Sequence, residues 1–372
     1  MLNTRRLFEP VTLGNTTLDN RVGVAPMTRT SATAEGLVTD QMISYYTSFA
    51  KGGFGLIITE GIYTDNQYSQ CYFNQPGIID EEQAQIWKKL VDSVHQAGAK
   101  IFMQLQHTGP LSQGNRFMEG TIAPSVVYPK GEQLKFFGGK GPFPLPKEAT
   151  KKDIEDVIKG FVDSAKRAQS VGFDGVEIHG ANGYLLDAFL TDYTNQRSDQ
   201  YGGTTEKRVR LLVEVSEAVR EAVGPNFTVG IRISQRKVND SEHKWSGKEK
   251  DAEIIFGQLG KAGLDYIHVT EHKACKPAFD TSHVSLAAFA KKYGKIPVIA
   301  NGNLEDPSKS SEMVEQGAAD VVTLGKGALA NHDWVNKVKN GEPLSEFNPA
   351  EVLRPTAIIK EFEVEGRSII GR

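Results

Sequence analysis

Short runs of β-branched and apolar residues recur along the chain, at 22–27, 55–61, 100–107, 175–180, 228–234, 266–271, 297–302 and 321–325. Between them lie stretches with helical spacing, such as Ile154, Val157, Ile158, Phe161, Val162 and Ala165, which put apolar residues on one stripe. Thr150 followed by Asp153 resembles a capping box at the start of that helix, and Gly172 marks its end; Asp80, Gln83 and Gly98 frame another helix in the same way. Strand and helix alternate throughout, which implies parallel strands covered by helices. Eight strands is the number that closes a (β/α)8 (TIM) barrel.

Two segments depart from the repeat. Residues 11–18 read as a hairpin around Gly14-Asn15, placed to plug the amino-terminal mouth of the barrel. Residues 108–149, rich in Gly, Pro and aromatics, separate the third strand from its helix and far exceed a usual βα loop. Loops that follow strands lie over the active face of such a barrel, so this insertion is expected to cap or wall the site. The chain is otherwise expected to form a single domain over residues 1–372.

Composition narrows the function classes. With 39% hydrophobic residues, 24% charged residues and a formal net charge of −3, nothing points to nucleic acid or a membrane surface as partner. No run approaches the roughly 20 apolar residues of a membrane span, so a cytoplasmic protein is the expectation. Cys71 and Cys275 lack the neighbouring Cys or His of a metal site and read as free thiols. The sequence admits a homodimer without specifying one.

The chemistry is expected at the carboxyl ends of the strands. The fourth strand ends Val176-Glu-Ile-His-Gly-Ala-Asn-Gly-Tyr184, bringing His179, Asn182 and Tyr184 together. His and Asn side by side can donate hydrogen bonds to one carbonyl oxygen, and a tyrosine hydroxyl can act as an acid; a purely structural use of these side chains in a Gly-rich turn is the alternative. Arg232 and Gln104 interrupt strands that otherwise look buried. A buried guanidinium needs an anion, which is either Glu177 in an internal salt bridge or a ligand that becomes anionic. The last two strands end in Ala300-Asn-Gly-Asn303 and Leu324-Gly-Lys-Gly327, turns where the backbone can approach a phosphate, with Lys326 adding charge. No G-x-G-x-x-G follows a first strand.

Ala25-Pro-Met-Thr-Arg29, Thr59-Glu-Gly61, His179-Gly-Ala-Asn-Gly-Tyr184 and Asn195-Gln-Arg-Ser-Asp-Gln-Tyr-Gly-Gly203 resemble the old yellow enzymes, and the likeness extends over nearly the whole chain. The resemblance implies FMN as cofactor and NADH or NADPH as reductant. It implies that Pro26, Met27, Thr28 and Gly61 border the flavin ring, that Gln104 and Arg232 contact its pyrimidine edge, and that Gly302, Asn303, Gly325 and Lys326 hold the phosphate. His179 and Asn182 would bind the substrate carbonyl and Tyr184 would deliver a proton. Lys326 stands where the family usually has Arg, a point charge in place of a bidentate fork. Related reductases with an iron–sulfur cluster carry a cysteine cluster and a further nucleotide-binding region, which this sequence does not show.

The activity so implied is hydride transfer from NAD(P)H through FMN to an enone, enal or nitroalkene. Two other readings remain open at this level: a flavin-binding sensor without turnover, and a barrel lyase or isomerase acting on a phosphorylated substrate.

Overall fold

The computed structural model describes residues 4–364. Eight strands form the barrel: β1 (Val22–Val24), β2 (Leu56–Ile58), β3 (Lys100–Gln106), β4 (Gly175–Asn182), β5 (Thr228–Lys237), β6 (Tyr266–Thr270), β7 (Val298–Asn301) and β8 (Val321–Leu324). Each pairs in parallel with its neighbours in sequence; β8 pairs with β1, and β2 with β3, so the sheet closes on itself. The sequence expectation holds in strand number and direction. β1 and β2 are shorter than expected, and Pro26, with no N–H for the ladder, suits the early end of β1. β5 runs on to Lys237, rejoining β4 at Asn182 after a register shift.

The two-residue period of the strands divides the interior. Outward residues, among them Ile101, Val176, Ile178, Val229, Ile231, Ile267, Val298 and Val322, pack under the helices in the main core. Inward residues at the amino end, Leu56, Ile58, Phe102, Tyr266, Ile299 and Val321, form a separate apolar layer that includes Leu13 and Leu18 of the hairpin. The hairpin pairs Val11–Leu13 with Thr16–Leu18 and is tied in by the Thr16 and Thr228 hydroxyls, 2.8 Å apart. It plugs this end of the barrel as expected.

The two framed helices form where their end signals stand. Glu81–Gln96 starts at Asp80, whose side chain accepts the Gln83 N–H, and Lys151–Ser170 starts with a reciprocal capping box between Thr150 and Asp153. Gly98 and Gly172 follow their ends with positive φ. Among the described residues, no helix is long and apolar enough to cross a membrane.

Candidate active site

Above the apolar layer the inward side chains turn polar. Gln104 on β3, Glu177 on β4, Arg232 on β5, His268 on β6 and Thr323 on β8 are all buried. The internal salt bridge between Arg232 and Glu177 does not form. Glu177 instead accepts from Gln104 Nε2 at 2.8 Å and pairs with His268 Nδ1 at 2.8 Å, while Arg232 Nη2 donates to Asn301 Oδ1 at 2.9 Å. Arg232 Nε is buried without a hydrogen-bond partner among the described residues. Burial pushes the guanidinium down to about 10, against the pull of Glu177, so it stays charged at neutral pH. A buried cation with spare donors calls for an anionic or strongly accepting ligand.

The strand register places His179 beside Arg232. His179 Nδ1 accepts the Ala181 N–H at 3.3 Å, which leaves Nε2 as the protonated, donating nitrogen of a neutral ring. Burial, with the charge of Arg232, holds its pKa well below the ordinary histidine value, so the neutral tautomer persists. Asn182 adopts a left-handed conformation, φ 66°, as its backbone N–H meets Ser234 Oγ and its carbonyl meets the Val238 N–H. Its carboxamide makes no hydrogen bond among the described residues. The next turn is pinned by Asp187, which accepts the Gly183 N–H at 2.6 Å and pairs with buried Lys237 at 2.8 Å.

Tyr184 follows, its ring centroid 5.0 Å from that of His179 and nearly perpendicular to it. Its hydroxyl lies 3.2 Å from that of Tyr72. Burial raises the pKa of Tyr184 well above that of a free tyrosine, so it remains a neutral acid through the physiological range. Cys71, Tyr72, Leu111, Phe143 and Tyr184 form one apolar cluster, with Phe137 packed against it. The 108–149 insertion thus supplies the wall beside the tyrosine. Both cysteines are free; Cys71 is buried, its thiol pushed up to about 12 by burial, and Cys275 is exposed. Tyr72 and Cys71 carried no signal as site residues in the sequence, because they meet Tyr184 only through the path of the loops; Gln106, two residues after Gln104 at the end of β3, offered the same polar-in-strand signal as Gln104.

The loop after β1 brings Pro26, Met27 and Thr28, all half-buried, to the same end of the barrel. It is anchored by Arg29, which is completely buried: Nε donates to the Ala357 carbonyl at 2.8 Å, and Nη1 and Nη2 reach the two Glu363 carboxylate oxygens at 2.7 and 2.6 Å. Glu60 accepts the Arg29 and Thr30 N–H groups from the other side. Gly61 is confined by packing, since a Cβ there would stand 1.5 Å from Gln106 Oε1. Gln106 Nε2 is buried and unpartnered among the described residues.

The turns after β7 and β8 complete the rim. Gly302 has φ 134° and no room for a side chain, as a Cβ would meet the Glu271 carbonyl oxygen at 1.9 Å. Asn303 beside it is exposed. A Cβ on Gly325 would lie 3.7 Å from Met27 Sδ, so the β8 turn adjoins the β1 loop. Lys326 is exposed at the start of a short helix, Lys326–Ala330. Burial lowers the pKa of His272, with the charges of Arg236, Lys326 and Lys273 acting in the same direction, so this rim is locally cationic. A phosphate at the rim, with a polar ring edge meeting the spare Arg232 donors and the Gln104 carbonyl, fits the groups present.

Residues 6–345 match the family described as NADH:flavin oxidoreductase / NADH oxidase. An NADH oxidase of Thermoanaerobacter brockii is 33% identical over 351 residues, which is 92% of this chain and 52% of the relative, so the chain spans about half of that protein's length. A probable flavin mononucleotide-dependent alkene reductase of Leishmania infantum is 33% identical over 351 residues, 92% of this chain and 93% of the relative. Among solved structures, an old yellow enzyme homologue from Zymomonas mobilis aligns with a TM-score of 0.86 at 28% identity, covering 96% of this chain and 98% of the other. Morphinone reductase, in complex with tetrahydroNAD, aligns with a TM-score of 0.82 at 31% identity, covering 92% and 93%.

Proposed function

Since the chain belongs to the NADH:flavin oxidoreductase / NADH oxidase family, that of the old yellow enzymes, and is an NAD(P)H-dependent flavin oxidoreductase with FMN as cofactor, we propose that it reduces the activated double bond of enones, enals or nitroalkenes. The observation that carries this reading is the end of β4. A neutral histidine with Nε2 as donor, an uncommitted carboxamide and a protonated tyrosine stand within six residues of one another. The alkene-reductase description of the Leishmania relative and the morphinone reductase neighbours support the same substrate class.

Bound FMN would supply the two-electron hydride chemistry between NAD(P)H and the substrate. Gln104 and Arg232 would hold its ring edge, with Pro26, Met27, Thr28 and Gly61 along the ring. Gly302, Asn303, Gly325 and Lys326 would hold its phosphate. His179 and Asn182 bind the substrate's carbonyl or nitro oxygen and stabilise the negative charge that gathers there as the β-carbon accepts hydride. Tyr184 gives its proton to the α-carbon, completing addition of H⁻ and H⁺ across the double bond. The Tyr72 hydroxyl, 3.2 Å away, can donate to the resulting phenolate until it regains a proton. The insertion's Leu111, Phe137 and Phe143 keep this corner apolar. Activity is assigned to the cytoplasm, where reduced nicotinamide is available.

The test is turnover of NAD(P)H with a panel of enones, enals and nitroalkenes under exclusion of oxygen. Steady oxidation with at least one class is expected, and its absence across the panel contradicts the proposal. A phenolate should give a long-wavelength charge-transfer band with the oxidised flavin. Replacing both His179 and Asn182 with Ala should abolish that band, and its survival would place the oxygen-binding donors elsewhere.

A further inference from the structure

Glu177 lies two residues before His179 on the inward face of β4, one pleat deeper in the barrel, and has no solvent exposure. Its carboxylate meets three hydrogen-bonding groups: Gln104 Nε2 at 2.8 Å, His268 Nδ1 at 2.8 Å and the Tyr266 hydroxyl at 3.1 Å. On the far side of the imidazole, His268 Nε2 lies 2.9 Å from Thr323 Oγ1. A threonine hydroxyl donating to Nε2 keeps the histidine proton on Nδ1, facing the acid. Three donors then converge on two oxygens, an arrangement that suits a carboxylate and leaves no acceptor for a protonated one. Burial opposes ionisation, but His268, Arg232 and Gln104 together outweigh it and hold the Glu177 pKa below the ordinary glutamate value.

Two consequences reach the ligand above. The Gln104 amide nitrogen is committed to Glu177, while Gln104 Oε1 makes no hydrogen bond among the described residues. Toward a ligand, therefore, Gln104 is an acceptor, complementary to an imide N–H. Arg232, one layer above Glu177 on the adjacent strand, gives its hydrogen bond to Asn301 rather than to the acid. The ligand accordingly sees a cation in contact range and an anion set behind it.

We propose that Glu177 is a positioning residue for FMN, holding Gln104 with its carbonyl toward the cofactor's imide edge and setting the flavin's midpoint potential below the value Arg232 alone would produce. A lower potential makes the reduced cofactor a stronger hydride donor. This rests on FMN as cofactor and not on the alkene as substrate, so failure of the substrate reading leaves it intact.

The experiment is a dye-equilibrated redox titration of the FMN-loaded protein. Glu177→Gln removes the charge at constant size, and the midpoint potential should move to a more positive value. Tyr266→Phe removes one hydrogen bond from the acid but keeps its charge, and should leave the potential near wild type. An unchanged or more negative potential in Glu177→Gln, or an equal rise in both variants, would overturn the assignment, since a merely structural role moves both alike. Should Glu177→Gln not fold, the Glu60→Gln holoprotein, which lacks the buried acid that titrates near pH 7, carries the test through reduced-minus-oxidised infrared difference spectra with ¹³C-glutamate at pH 8. The expected signal is a label-sensitive band that stays in the carboxylate region and shifts on flavin reduction. A band in the protonated-carboxyl region, or no label-sensitive change, refutes the proposal.

Discussion

Glu60 offers a quantitative test of how the β1 loop is held. Its carboxyl is fully buried; Oε2 accepts the N–H groups of Arg29 at 3.0 Å and Thr30 at 3.2 Å, and Oε1 lies 3.3 Å from the Tyr46 hydroxyl. Burial pushes its pKa up from 4.5 to about 7, against the backbone N–H groups and the Arg29 charge, which lower it. The folded state therefore keeps a proton that the unfolded chain releases near pH 4.5. The resulting stability is fully present below that pH and is lost as pH rises through about 7. At about 1.4 kcal/mol per pKa unit the loss is on the order of 3 kcal/mol. Glu60→Gln cannot titrate, yet its carbonyl can accept the loop N–H groups. The variant should thus gain on wild type by that amount across the window. With about 2 cal/mol/K of unfolding entropy per residue over 372 residues, the gain corresponds to roughly 4 °C in melting temperature. Thermal unfolding of both FMN-saturated proteins, at one scan rate over a pH series spanning the window, measures it. A melting-temperature difference that stays constant with pH would show that the acid does not titrate there.

Two further substitutions probe the cofactor site. Arg232→Met should lower FMN affinity and make the flavin harder to reduce, because the buried cation with unpartnered Nε is gone; unchanged affinity and potential in redox titration would contradict this. Lys326→Ala should weaken FMN binding in a salt-dependent manner while Lys326→Arg preserves or tightens it; equal dissociation constants for Ala and wild type across a salt series would remove Lys326 from the site.

What was legible in the sequence follows from periodicity. Eight apolar runs, the Thr150 capping box and the 11–18 hairpin are local patterns, and each appears where it was expected. Arg232 and Gln104 stood out because a charged or amide side chain breaks an apolar strand. The same reasoning applies to His268 and Thr323, but each lies in a strand of only five or four residues, and only the closed barrel shows them linked to Glu177. The ambiguity over the partner of Arg232 could not be resolved from sequence, because Glu177 and Asn301 both lie on inward faces and register alone decides between them. Tyr72, Phe137 and Phe143 lie on irregular loops with no period to read, and their convergence on Tyr184 depends on tertiary packing. The Arg29–Glu363 pair joins residues 334 positions apart, beyond the reach of any local pattern.

Under the proposed function, Tyr184 supplies the proton to a substrate held by His179 and Asn182. This role is tested most directly by following the two half-reactions of Tyr184→Phe separately in an anaerobic stopped-flow instrument. Flavin reduction by NAD(P)H needs no proton from this residue and should proceed at nearly the wild-type rate. Reoxidation by a simple enone should slow by roughly 10²- to 10⁴-fold, as removal of a general acid does, with a smaller loss for nitroalkenes, whose nitronate product can leave unprotonated. Enone reduction as fast as wild type, or an equal fall in both half-reactions, would contradict the account and leave Tyr184 a packing residue.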